Sequence, residues 1–193
     1  VGNINASSTY KLGGTSTGYN VLQGTAANEI IAVGLYGNFT GTGTLSTYLG
    51  SLAGASNPSG GSNTFLGRAS GFYTAAGANN TFVGRNAGLT NTSGSNNTTL
   101  GYLADLGSNN LSNATAIGAN ASVTASNNLI LGSSANVGIG VTAASAKLHI
   151  LGTTEQLRLA YDASNYSGFT ISSGGDLNID ATGNDIATPD RTT

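Results

Sequence analysis

The chain has 193 residues, a formal net charge of −2 and only 7% charged side chains, against roughly 25% in ordinary globular proteins. Six Lys and Arg in the whole sequence make no basic patch for nucleic-acid phosphates, and no run of 18 apolar residues spans a membrane. Disorder normally accompanies high charge, and with no Cys no disulfide staples the fold.

Residues 1–46 read as a lead-in of short strands and glycine turns, or as degenerate repeats. Leu22 and Gln23-Gly24 precede the apolar run Glu29 to Gly34, and Val33-Gly34 stands 16 residues before the Leu49-Gly50 pair. Phe39 to Thr44 alternates small and polar residues. The chain starts at Val1 and contains no Met, as expected of a processed product or of a piece of something longer.

A period then takes over across residues 47–140. Gly50, Gly67, Gly84, Gly101 and Gly118 lie 17 apart, and Gly132 follows after 14. Each follows an aliphatic residue, in order Leu49, Leu66, Val83, Leu100, Ile117 and Leu131. Two residues before the aliphatic stand Thr47, Thr64, Thr81, Thr98 and Thr115, then Leu129. Paired Asn precede two of these units, Asn79–Asn80 and Asn96–Asn97, with Ser62–Asn63 as a near variant. A small residue, Ala53, Ser70, Ala87, Ala104 or Ala121, follows three after the Gly.

A fixed period with fixed chemistry at each phase defines a stack of one short supersecondary unit per repeat. The Thr-aromatic-aliphatic run is a strand whose successive side chains alternate faces. Thr64 and Leu66 share one face, and Phe65 takes the other with Tyr48, Phe82, Thr99, Ala116 and Ile130. The predicted fold class is all-β, a repetitive parallel β-solenoid or β-roll, in which six strands at ~4.8 Å make a rod ~25–30 Å long.

A 17-residue coil encloses little apolar volume, and small units usually need staples or partners. The aromatic face is therefore expected to be a contact between chains, most simply in a homotrimer. The interface or core positions are then Tyr48, Leu49, Phe65, Leu66, Phe82, Val83, Leu100, Ile117, Ile130 and Leu131. A single-chain stack results instead if the two faces close on each other. The Asn pairs are expected to be structural, because Asn tolerates left-handed backbone angles and stacks into ladders.

After residue 140 the character changes, since nine of the 14 charged residues lie there. Ala143 to Ala146 reads as a turn or a brief helical step. Lys147 to Ile150 and Gln156 to Leu159 alternate like half-buried strands. Phe169 to Ser172 and Asp176 to Ile179 flank Ser173-Gly174-Gly175 as a hairpin. The strand and hairpin segment covers 141–182, and 183–193 reads as a tail.

The strings Asn79–Gly88, Ala114–Val123 and Asn136–Val141, with Ala146 to Ile150 after them, resemble bacterial and phage fibre proteins of the tail-fibre and trimeric-autotransporter-head type. Many of those end in an intramolecular chaperone related to that of endosialidase tailspikes, and no such domain is visible after residue 180. The resemblance implies a trimeric β-rich extracellular fibre, on a virion tail or a bacterial cell surface, serving attachment or spacing.

Little in the sequence supports catalysis. The one histidine, His149, sits in an alternating strand, where a structural or solvent-facing role is expected rather than that of a general base. A hexapeptide-repeat acyltransferase would share the aliphatic-Gly step, and an apolar residue does recur from Leu66 to Phe72 and Val83 to Leu89. The next step fails at Ala78, Ser95 and Ser112, and the repeats contain no His. Glu29 and Asp105, the acids before residue 141, are too far apart in sequence to suggest a glycosidase pair. Asp176, Asp180 and Asp185 lack a ligand-dense calcium loop. The expectation is no enzyme, no metal and no cofactor. Arg68 and Arg85 fall one period apart, and with exposed Tyr73 and Tyr102 they form the alternative functional reading, a glycan- or receptor-binding patch.

Overall fold

The computed structural model describes residues 19–23, 31–35, 45–160, 162–163 and 166–181, with side chains except at 19–23, 31–35, 180 and 181. Among these there is no helix. The chain divides into two compact units, Val1–Ala135 and Asn136–Thr193.

The first unit is a parallel β-solenoid. Its main sheet runs β1 (Tyr19–Gln23), β2 (Ile31–Leu35), β3 (Thr47–Leu49), β4 (Thr64–Leu66), β5 (Thr81–Val83), β6 (Thr98–Leu100), β8 (Thr115–Ile117) and β10 (Leu129–Leu131). From β2 onward neighbours are parallel and in register, so Thr64 pairs with Thr81, Phe65 with Phe82 and Leu66 with Val83. Ile31, Ala32 and Val33 pair with Thr47, Tyr48 and Leu49, which makes the lead-in strand a true rung, while β1 pairs with it antiparallel. The expected alternation over Phe39–Thr44 and the tail 183–193 lie outside the described residues. In the later coils β7 (Asp105–Leu106) and β9 (Ser122–Val123) add a second, two-stranded parallel sheet.

The aromatic face is not an interface between chains, as the sequence led us to expect. Tyr48, Phe65 and Phe82 are 3%, 0% and 0% exposed within their own coils. Their rings stack at centroid distances of 5.2 and 5.0 Å with interplanar angles of 19° and 7°, inside the range for favourable aromatic pairs. Each ring lies one rung from the next, so a single chain supplies the contact that three chains were expected to supply. Leu49, Leu66, Leu100, Ile117 and Leu131 turn outward and are exposed, whereas Val83 and Ile130 are half-buried.

Core volume is held as the stack proceeds. Where the ring position shrinks to Thr99 and Ala116, the buried cluster takes in Leu106, Leu111 and Val123. This is a volume-conserving exchange across positions of one coil. A glycine follows six residues after each ring, at Gly54, Gly71 and Gly88. A Cβ at Gly88 would lie 2.3 Å from Phe82 Cδ2, and one at Gly71 would lie 2.6 Å from Phe65 Cε2. Where the ring is gone the same phase carries Asp105 and Ser122.

The second unit is built differently. β11 (Val137–Ile139) and β12 (Leu148–Ile150) pair in parallel, so residues 136–140 belong to this unit rather than to the repeats, and Ala143–Ala146 contains no helical step. β13 (Leu157–Ala160), β14 (Tyr166–Ile171) and β15 (Leu177–Ala181) form an antiparallel sheet, with the expected turn at Ser173–Gly175.

Candidate functional site

The Asn pairs divide their work. The first member holds the left-handed backbone angle: Asn79 and Asn96 have φ of 58° and 60°, and Ser62 before Asn63 and Asn113 before Ala114 hold the same phase at 57° and 55°. The second member points inward. Asn63 Oδ1 accepts from Asn80 N (2.8 Å), Asn80 Oδ1 from Asn97 N (2.9 Å) and Asn97 Oδ1 from Ala114 N (2.9 Å). Their Nδ2 groups donate to the carbonyls of Gly77, Gly94 and Leu111. The ladder opens with Ser46, whose hydroxyl accepts from Asn63 N, and closes at Ala114, which has no amide to pass on. Ladder asparagines 63, 80 and 97 are at most 1% exposed, so buried backbone groups that no strand partner reaches are satisfied by side chains. This bears out the structural reading of the Asn pairs.

The first ring of the aromatic column is a titratable group in the core. Burial raises the Tyr48 hydroxyl above its ordinary pKa, and hydrogen bonds with Ser46, Asn57 and Asn63 oppose that only in part. In the unfolded chain this phenol loses its proton near pH ~10, while the folded chain keeps it to higher pH. The unfolded state then binds fewer protons, so stability falls as pH rises above about 10. Unfolding followed against pH is expected to show that alkaline loss in the native chain, and Tyr48→Phe is expected to shrink it.

The polar groups with catalytic potential serve the fold. Asp105 accepts from Thr90 N (3.0 Å), Thr90 Oγ1 (2.6 Å) and Leu106 N (2.8 Å), which ties one coil to the next. His149 Nδ1 accepts from Ser145 N and contacts Ser145 Oγ, both at 3.3 Å. Among the described residues no carboxylate hydrogen-bonds that imidazole, so the pair lacks the orienting third group of a nucleophilic triad. Asp176 closes the hairpin turn with Ser172. The side chains of Asp180 and Asp185 lie outside the described residues, and among the described residues no three His, Cys, Asp or Glu gather as metal ligands.

Two surface features stand apart from this internal bonding. One is the residue column immediately after the repeat glycines. Asn86 N donates to Arg68 O and Leu103 N to Arg85 O, which sets Arg68, Arg85 and Tyr102 on successive coils. The Arg85 guanidinium carbon lies 5.6 Å from the Tyr102 ring centroid, and Arg85 Nη1 donates to Tyr102 Oη at 3.4 Å. Tyr73, expected in the same patch, sits instead eleven residues before Gly84, is 53% exposed and packs edge-on against Phe72.

The other feature is the apolar face of the β13–β15 sheet. Register places Leu157, Phe169 and Ile179 in one row and Ile171 beside Leu177, and alternation puts Leu159 on the same face. Leu159 and Leu177 are 58% and 57% exposed. The opposite face carries Arg158, which lies 3.8 Å from the Tyr166 ring centroid and pairs with Glu155. That pairing holds the Glu155 carboxyl below its usual range. Between residues 136 and 179 the one buried position described is Gly168.

No family model, no curated protein and no solved structure matches this chain. The class that the coordinates define is an all-β protein, a parallel β-solenoid followed by an antiparallel sheet. Among the described residues no helix is long and apolar enough to cross a membrane.

Proposed function

We propose that this chain is a structural segment of an extracellular fibre, on a virion tail or a bacterial surface, where it assembles as a homotrimer and acts as shaft or spacer rather than as an enzyme. The apolar face of the β13–β15 sheet carries the reading. A three-stranded sheet gains its stability from what covers its apolar side, and the described residues of this unit bury only Gly168. Monomers seldom leave contiguous apolar patches above roughly 300–600 Å². Such a unit needs its cover from synthesis onward, and another copy of the same chain is the partner always present. Each coil adds ~4.8 Å along one axis, which is what a spacer supplies.

Light scattering of the full chain at micromolar concentration is expected to give three times 19.0 kDa. Leu159→Asp with Ile179→Asp is expected to lower that mass while leaving the solenoid folded. A native chain at the mass of one copy rejects the assembly.

A second reading, attachment through a surface glycan, is favoured by the exposed pairing of Arg85 with Tyr102, a cation and an aromatic face presented together.

A further inference from the structure

We propose that the Arg68–Arg85–Tyr102 column is a docking strip for an acidic polysaccharide, one bearing carboxylate or sulfate groups along its length. The inference rests on the attachment reading and is independent of fibre assembly.

The placement of charge is the first argument. Between residues 45 and 135 there are three charged side chains, Arg68, Arg85 and Asp105. Two of the three are alike and sit on adjacent coils, held there by the Asn86 N to Arg68 O hydrogen bond at 2.9 Å. Charges that serve solubility are best interspersed with the opposite sign, and these two are not. Asp105 does not offset the pair, because its carboxylate is engaged by Thr90 and Leu106. Among the described residues no carboxylate lies within salt-bridge distance of either Arg. Anionic groups on a ligand supply the counter-charge that the chain does not, and the planar guanidinium matches carboxylate and sulfate through paired donors.

The surroundings select a sugar chain over a small anion. Tyr102 is 46% exposed and braces Arg85 from one side, which offers a ring for a sugar face beside a partly pre-ordered guanidinium. Two residues ahead of Arg68 and Tyr102 in sequence, the outward Leu66 and Leu100 are also exposed, and they supply an apolar border. The rung spacing of ~4.8 Å is comparable with the length of one sugar residue, so successive acidic groups can meet successive coils. With a net charge of −2 the chain as a whole is repelled by polyanions, and retention on one requires a local cluster.

The test passes the full chain over immobilised heparin and over immobilised dextran at low ionic strength. Native chain is expected to be held by heparin, released by salt, and to run through dextran. Arg68→Ala with Arg85→Ala is expected to weaken heparin binding by roughly two orders of magnitude, the loss of two charge-assisted contacts. Tyr102→Ala is expected to weaken it several-fold, with the mass by light scattering unchanged in both variants. Undiminished heparin retention by the double variant overturns the strip. Binding to dextran that survives the double variant leaves glycan attachment standing but removes the acidic class. Passage of the native chain through both columns rejects the attachment reading as well. Polyphosphate that displaces the chain as well as free heparin does would overturn the sugar contact.

Discussion

Gly84→Ala is expected to destabilise the solenoid by more than about 4 kcal/mol, beyond the range of most single substitutions. Gly84 has φ of +133°, and a Cβ there would lie 2.3 Å from Gly101 O and 2.6 Å from Gly101 C. Both effects arise from backbone. The angle is costly for any L side chain, and the obstacle belongs to the next coil, whose position is fixed by the hydrogen bonds Gly84 N to Leu66 O and Gly101 N to Val83 O at 2.8 Å. No side chain can rotate away to make room. Gly88→Ala provides the contrast, since its obstacle is the Phe82 ring, and the double variant Gly88→Ala with Phe82→Ala is expected to lose less than the sum of the two single changes. Denaturant unfolding of the four variants measures both. A Gly84→Ala chain within about 1 kcal/mol of native would mean that the coils can slide apart, contrary to the stacking described above.

Asn80→Ala is expected to cost about 2–4 kcal/mol. It leaves the buried Asn97 N–H without its acceptor, at ~1–3 kcal/mol before the lost packing is added, and it takes from the Gly94 carbonyl one of two donors, Asn91 Nδ2 remaining at 3.0 Å. Asn80→Asp separates the two bonds. The carboxylate still accepts from Asn97 N but presents negative charge to the Gly94 carbonyl in a fully buried site. Burial favours the protonated acid, so the folded state of that variant binds the proton more tightly than the unfolded state. Its stability is expected to rise as the pH is lowered through the acid range, while Asn80→Ala shows no such recovery. Equal behaviour of the two variants with pH would show that the ladder position is open to water.

The two substitutions probe different parts of one design. Glycine at the phase after each strand allows neighbouring coils to approach at backbone contact, and that closeness brings each Asn within reach of the next coil's amide. Together they give a core lined by stacked rings on one side and stacked amides on the other, in coils too small to enclose a conventional apolar interior.

The sequence by itself determined the period, the parallel register and the all-β class, because side-chain alternation and a 17-residue spacing admit few other arrangements. It also determined the left-handed Asn positions and the Ser173–Gly175 hairpin, since those depend on local backbone chemistry. A further signal was present and was missed: Gly54, Gly71 and Gly88 accompany the rings Tyr48, Phe65 and Phe82, whereas Asp105 and Ser122 accompany Thr99 and Ala116. A glycine that appears only when a ring stands six residues earlier marks the ring as folded into its own coil.

Only the tertiary structure decided which face of each strand is inside. Thr64-Phe65-Leu66 is apolar on both sides, and alternation says that the two faces differ without saying which one the coil wraps around. That choice follows from the path of the fourteen residues between strands, which return over the ring side in three-residue steps that bury Asn91, Gly94 and Asn97 in turn. The same path brings Arg68, Arg85 and Tyr102 to the outer surface. In the second unit, pairing of β13 with β14 and β14 with β15 gathers apolar residues from three separate strands onto one side of the sheet. Sequence alternation marked each strand's faces, but the shared face exists only once the registers are fixed.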